Sequence, residues 1–245
     1  MRIQNLYKIE LYRFVHSYFI FVCMIAGFLV TLFLASHNSD ALMGDGTSVG
    51  TVTATMKVAN LIVVLVVSVA ISNYVGREFK QKTIYYEVMR GYKLWEISVI
   101  KSITCGIVLP VMLELCILIF YVTIPGTLEL FAFTHILFMF FILWHICSCT
   151  TLYVLLCKNG SLGGCLAFVR FTLLEVMILF VLKPFMSNSL YNSCKPLFIM
   201  SQWSAVINAD FIIPVEYMSG IIGGAVIEYF VLIVLIQVYS KKNDL

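Results

Sequence analysis

The chain has 245 residues, of which 61% are hydrophobic and only 12% charged, and its mean hydropathy is +0.99. Soluble globular domains carry about a quarter charged residues, so a soluble fold is excluded. The 14% of aromatic residues, spread through successive apolar stretches, excludes disorder. A formal charge of +3 is too small to signal a nucleic-acid partner. The chain reads as an all-α, multi-pass membrane protein.

A spanning helix needs about 20 mostly apolar residues to cross roughly 30 Å of hydrocarbon. In chain order, six segments qualify: residues 14–35, 58–74, 97–123, 131–156, 161–182 and 217–239. Arg2, Lys8 and Arg13 precede the first. Its apolar run exceeds that of a secretory signal, so it is expected to be retained. Residues 36–57, rich in Ser, Thr and Gly with Asp40 and Asp45, read as a solvated connection without a calcium-loop pattern.

Lys and Arg near helix ends favour the cytoplasmic side. Twelve of the 16 basic residues fall on one side of this layout, among them Arg13, Arg77, Lys101 and Lys158; Lys57, Lys183 and Lys195 fall on the other, and Arg170 lies within a span. That asymmetry predicts a cell-membrane protein with both termini in the cytoplasm.

Residues 76–96 connect the second and third spans. Phe79, Ile84, Val88 and Met89 recur at near-helical spacing, with Lys80, Lys82, Glu87 and Arg90 supplying polar positions. A short helix at the membrane surface is predicted, ended by Gly91. Downstream, turns at 124–130 (Pro125, Gly126) and near Lys158, Asn159 and Gly160 make spans three, four and five sequential antiparallel neighbours. Gly160 with Gly164, and Gly220 with Gly224, form small-x-x-x-small patterns suited to close helix approach.

Seven of the eight cysteines fall in or beside spans, and only Cys194 lies in an outer loop, so the thiols read as packing residues. Cys147-Ser-Cys149 lacks flanking ligands, and no metal site is expected. His16, His37, His135 and His145 are scattered; His145, deep in span four, reads as a hydrogen-bonded packing residue. No Gly-x-x-x-x-Gly-Lys-Ser/Thr phosphate loop and no hydrolase or metalloprotease motif occurs. The chain is therefore expected to bind no cofactor and to be no enzyme.

Four ionisable residues lie inside spans, where each costs about 2.5 to 3.5 kcal/mol and requires a partner or water. Counting 1.5 Å per residue places Arg170 and Glu228 at a common depth of about 13 to 14 Å, and Glu114 and Glu175 both near 20 Å. An Arg170–Glu228 ion pair is predicted. Glu114, Arg170, Glu175 and Glu228 form either a stabilising polar network or a substrate or ion path. Residues 183–216, outside, are too apolar for a simple loop and are divided by Pro184, Pro196 and Pro214. One or two short helices capping the bundle are expected there.

The run Arg77-Glu78-Phe79, Thr83-Ile84, Gly91-Tyr92-Lys93, Ile97 and Lys101 resembles the cytoplasmic loop of ABC-transporter type 2 permeases. The layout is similar over the whole chain: a basic amphipathic N-terminal segment, expected as an interfacial helix, six spans, and a long outer segment before the last. The resemblance implies that 76–96 is a coupling segment docking on a separate ATPase subunit, with Glu78, Phe79, Thr83, Gly91 and Lys93 at the contact; Lys93 stands where an Arg is common. It implies ATP and Mg on that partner, a second permease copy or sister permease, and a re-entrant outer gate over 183–216, to which Phe198 and Trp203 are assigned. Export of an antimicrobial, peptide or other amphipathic compound is the implied function. A proton-coupled secondary carrier, or a membrane assembly protein without an ATPase, is the alternative.

Overall fold

A computed structural model describes residues 2–41, 48–123, 133–207 and 213–242. The described residues form helices joined by short turns, without strands. The helices are α1 (Arg2–Val15), α2 (Tyr18–Ala41), α3 (Ser48–Lys80), α4 (Thr83–Met89), α5 (Leu94–Thr123) and α6 (Phe133–Cys157). They continue with α7 (Gly160–Val169), a π-helical turn (Arg170–Leu174), α8 (Glu175–Leu182), α9 (Asn188–Cys194), a 3₁₀ turn (Lys195–Leu197), α10 (Ile199–Val206) and α11 (Val215–Lys242). The expected turn at 124–130 lies outside the described residues, as do Asp45 and part of the connection at 36–57.

Among the described residues, five helical stretches are long and apolar enough to cross a membrane: Ala59–Lys80, Leu94–Ile119, Phe133–Cys157, Gly160–Val181 and Val215–Tyr239. The bent pair Gln4–Val15 and Tyr18–Leu29, at 52°, makes a sixth if taken as one span. The chain is thus multi-pass by the length and polarity of its helices. The predicted first span from residue 14 is corrected here. Phe14 and Val15 end α1, the helix breaks at His16 and Ser17, and α2 starts at Tyr18. His16 turns its ring nitrogen back to the Tyr12 carbonyl at 2.9 Å, and Ser17 N–H closes on Phe14 O, so α1 is tied off locally. The connection at 36–57 also changes: helix continues to Ala41 and resumes at Ser48.

α6 is the central helix. α5, α7, α3, α11 and α10 all lie against it, and its two turns from His145 to Leu152 are buried on every side. A helix surrounded in this way forms a core without needing amphipathic periodicity. By contrast, within the spans at Gly160–Val181 and Val215–Tyr239 only 28% and 22% of an apolar 18-residue stretch is buried within the chain. Their remaining apolar surface faces lipid or another protein.

The two glycine patterns serve different contacts. Gly160 and Gly164 let α7 approach α3 at Ser68, Ser72 and Gly76; a Cβ on Gly76 would stand 2.6 Å from the Gly160 Cα. This is close helix crossing through small residues. Gly220 and Gly224 face Pro196, Leu197 and Gln202 instead, and so seat the segment before α11 on that helix rather than joining two long helices. That segment is α9, the 3₁₀ turn and α10, with Ile199, Trp203, Val206 and Ile207 buried in the main core.

Candidate functional site

Among the described residues, ionic side chains gather in two separate clusters. The first lies where α1, α3, α4 and α5 meet. Glu10 and Arg13 lie one turn apart on α1, Glu78 is on the last turn of α3, Glu87 on α4 and Lys101 on α5. Lys101 is 0% exposed, contacts Glu10 and stands 2.5 Å from Glu78. Arg13 donates to Glu87 at 2.5 Å and reaches Glu10 and Glu78 at 3.8 Å. Tyr74 donates its hydroxyl to the second Glu10 oxygen at 3.0 Å. Burying charge is tolerable only when it is paired and hydrogen-bonded, and here three carboxylates share two cations. At Glu87, burial pushes the carboxyl pKa up, against the Arg13 hydrogen bond that pulls it down.

This arrangement changes the positions expected for the 76–96 segment. α3 runs through Lys80, so Glu78 and Phe79 belong to the end of a long helix and the separate short helix starts only at Thr83. Glu78 points inward to Lys101 and Arg13, and Phe79 packs against the core. Lys82 adopts left-handed backbone, φ 57°, at the corner. Gly91 ends α4 at φ 89°, a conformation glycine adopts freely. Lys93 is exposed, and its N–H donates to Glu96 Oε2 at 2.8 Å, capping the start of α5. Thr83 is half-buried. The inner face of α4 holds Ile84 and Glu87, while Tyr85, Tyr86 (58%) and Met89 (71%) are exposed.

The second cluster is inside the bundle. Arg170 Nη2 donates to Glu228 Oε2 at 3.0 Å, and Nη1 donates to Glu175 Oε1 at 2.9 Å. His145 Nε2 lies 3.2 Å from Glu228 Oε2, and Tyr153 donates to Glu228 Oε1 at 2.8 Å. The expected contact between Arg170 and Glu228 is therefore present. Residue counting puts Glu175 level with Glu114, but Glu175 joins Arg170 instead. In an α-helix, residues five apart point about 140° from each other. The π turn at Arg170–Leu174, with its wider i→i+5 pattern, brings positions 170 and 175 to one side.

Glu175 is 0% exposed and reaches beyond the span. Its Oε2 accepts the Met200 N–H at 3.0 Å in the first turn of α10, whose N-cap, Phe198, contributes no side-chain cap. A carboxylate there satisfies an orphan N–H and complements the helix dipole. Gln202 fastens the same helix by donating to Pro196 O at 2.7 Å and Gly220 O at 3.3 Å. Trp203 is buried beneath this cap and Phe198 is half-buried at its edge. Glu114 stays apart: it is buried on α5, and its Oε1 has no hydrogen-bond partner among the described residues.

Several residues of these clusters are not evident from the linear sequence. Lys101 and Arg13 count there as membrane-edge cations, and nothing marks Glu10, Glu87 or Tyr153 as buried partners. The only sequence signal is spacing, Glu10 and Arg13 at i, i+3 and Tyr153 eight residues after His145 on one face of α6. All eight cysteines are free thiols. The chain matches no model of a known protein family and no curated protein sequence.

Proposed function

We propose that this chain is the membrane-spanning permease subunit of an ATP-binding-cassette transporter, driven by a separate ATPase chain and exporting an antimicrobial, peptide or other amphipathic compound. The observation that carries this reading is α4. It is a single short helix across one end of the bundle, and it offers Tyr85, Tyr86 and Met89 outward while Glu87 is tied to Arg13 inside. Exposed aromatic and Met side chains flanked by Lys82 and Arg90 have the composition of a protein-docking surface. Through Glu87, Arg13, Glu78 and Lys101, a push on α4 reaches α1, α3 and α5 together. In this reading Glu78 positions the docking helix from within, and Phe79 supports it. Contact with the ATPase falls to Tyr85, Tyr86, Met89 and the corner that exposes Gly91 and Lys93, with Thr83 at its margin. A second permease copy or a sister permease covers the apolar faces of the spans at Gly160–Val181 and Val215–Tyr239, and α9 and α10 serve as the outer gate. Both termini lie in the cytoplasm.

Purification of the tagged chain from its native membrane in mild detergent tests this. A co-purifying polypeptide with a phosphate-binding loop, and ATP hydrolysis that is lost in a Tyr86→Ala, Met89→Asp variant of unchanged melting temperature, is expected. A folded chain that brings down no ATPase would overturn the reading.

One observation favours the proton-coupled carrier instead: the buried Glu114 with an unpartnered oxygen. Glu175 and Glu228 are both engaged by Arg170, which leaves them poorly suited to cycling protons. Proton flux in proteoliposomes that disappears on Glu114→Gln would establish the carrier.

A further inference from the structure

His145 and Cys149 lie one turn apart on the same face of α6, and Glu228 faces them from α11. One donor atom from each, an imidazole nitrogen, the Cys149 sulfur and a carboxylate oxygen, lies within 4.8 Å of the other two. We propose that these three side chains form a transition-metal site of zinc type that cross-links α6 to α11, independently of the transport reading.

The donor set selects the ion. Nitrogen, thiolate and carboxylate together suit a borderline divalent ion such as zinc and do not suit calcium or magnesium, which take oxygen ligands. Zinc bonds of about 2.0 to 2.3 Å place tetrahedral donors roughly 3.5 Å apart, so closing this cluster on the ion needs a contraction of at most about 1.3 Å. His145 Nε2 and Glu228 Oε2 are already 3.2 Å apart.

Charge also balances. Zinc displaces the Cys149 thiol proton to solvent as the sulfur–metal bond forms, and thiolate plus Glu228 carboxylate then neutralise the dication. Arg170, which shares Glu228 Oε2 with His145, retains Glu175 through its other nitrogen. Outer support comes to Glu228, whose Oε1 is held by Tyr153; Phe171 meets the His145 ring edge-on at 5.8 Å, and His145 Nδ1 has no hydrogen-bond partner among the described residues. Cys147, two residues earlier, points away from this face and supplies an internal control.

The experiment is titration of the full chain in detergent micelles with cobalt, followed by displacement with zinc. A saturable single equivalent with a thiolate-to-cobalt absorption band is expected, removed by zinc. Cys149→Ala abolishes the band, His145→Gln weakens binding at least about tenfold, and Cys147→Ala leaves both unchanged. No thiolate band in the wild-type chain, or a band that survives Cys149→Ala, would overturn the proposal. Where Cys149→Ala does not fold, alkylation mapping of the wild-type chain decides: zinc must protect Cys149 and not Cys147, and equal labelling overturns the site.

Discussion

Arg170 makes two structural links at once, because its two nitrogens join α11 to the π turn and, through Glu175, to α10. Removing one partner of a buried pair leaves an uncompensated charge, so Arg170→Ala and Glu228→Ala are each expected to cost about 3 to 5 kcal/mol. The double variant should cost less than the two together by about 0.5 to 3 kcal/mol, measured by unfolding in detergent; additive losses would show that the pair is not coupled. Glu87 has a different signature. Its carboxyl pKa lies above the ordinary 4.5 in the folded chain, chiefly through burial. The folded state therefore holds a proton that the unfolded chain releases earlier. The stability Glu87 contributes is complete below its unfolded value and is lost as pH rises through the raised folded value. Denaturation of the wild-type chain across that window should show this decline, and Glu87→Gln should flatten it. The contact of Arg170 with Glu228 is legible from residue counting because rise per residue is a local constant of helices. Glu175 is not, because a π turn changes azimuth without leaving a clear composition mark.

At the scale of elements, the long apolar helices follow from composition, while their ends depend on single residues. Gly91 is legible as the end of α4 because its left-handed backbone is one that other residues enter at a cost of about 1 to 2 kcal/mol. Gly91→Ala should lose about that much stability and shift the α4–α5 corner, read by protease sensitivity between residues 89 and 94. Gly76 carries no such local mark, since its role is to admit Gly160 of a helix far along the chain. Gly76→Ala puts a Cβ 2.6 Å from that backbone and should cost roughly 1 to 3 kcal/mol by overpacking. A matched change at Gly223, which has open space where a Cβ would stand, should be nearly neutral. The break at His16–Ser17 is hidden in the sequence because the apolar run continues across it. Only the turn that folds α1 back beside α5 reveals why Phe14 is buried with the core while Tyr18 is exposed.

For the whole molecule, the sorting of charge predicts sidedness. With other cysteines replaced, Lys82→Cys and native Cys194 should react with an impermeant maleimide from opposite faces of the membrane; labelling of both from one face would reject the six-crossing layout. The sequence by itself determined that the chain is all-helical and multi-pass, roughly where its apolar helices run, that the segment before its last long helix is broken into short pieces, and that Arg170 and Glu228 share a level. Those properties depend on hydropathy and on a fixed helical rise, which are additive along the chain. Tertiary structure alone decided that Lys101 and Glu78 are buried partners rather than surface charges, that Glu175 caps α10, and that His145, Cys149 and Glu228 converge. Each depends on the azimuth of one helix against another, which is set by packing between residues distant in sequence and cannot be summed from local terms.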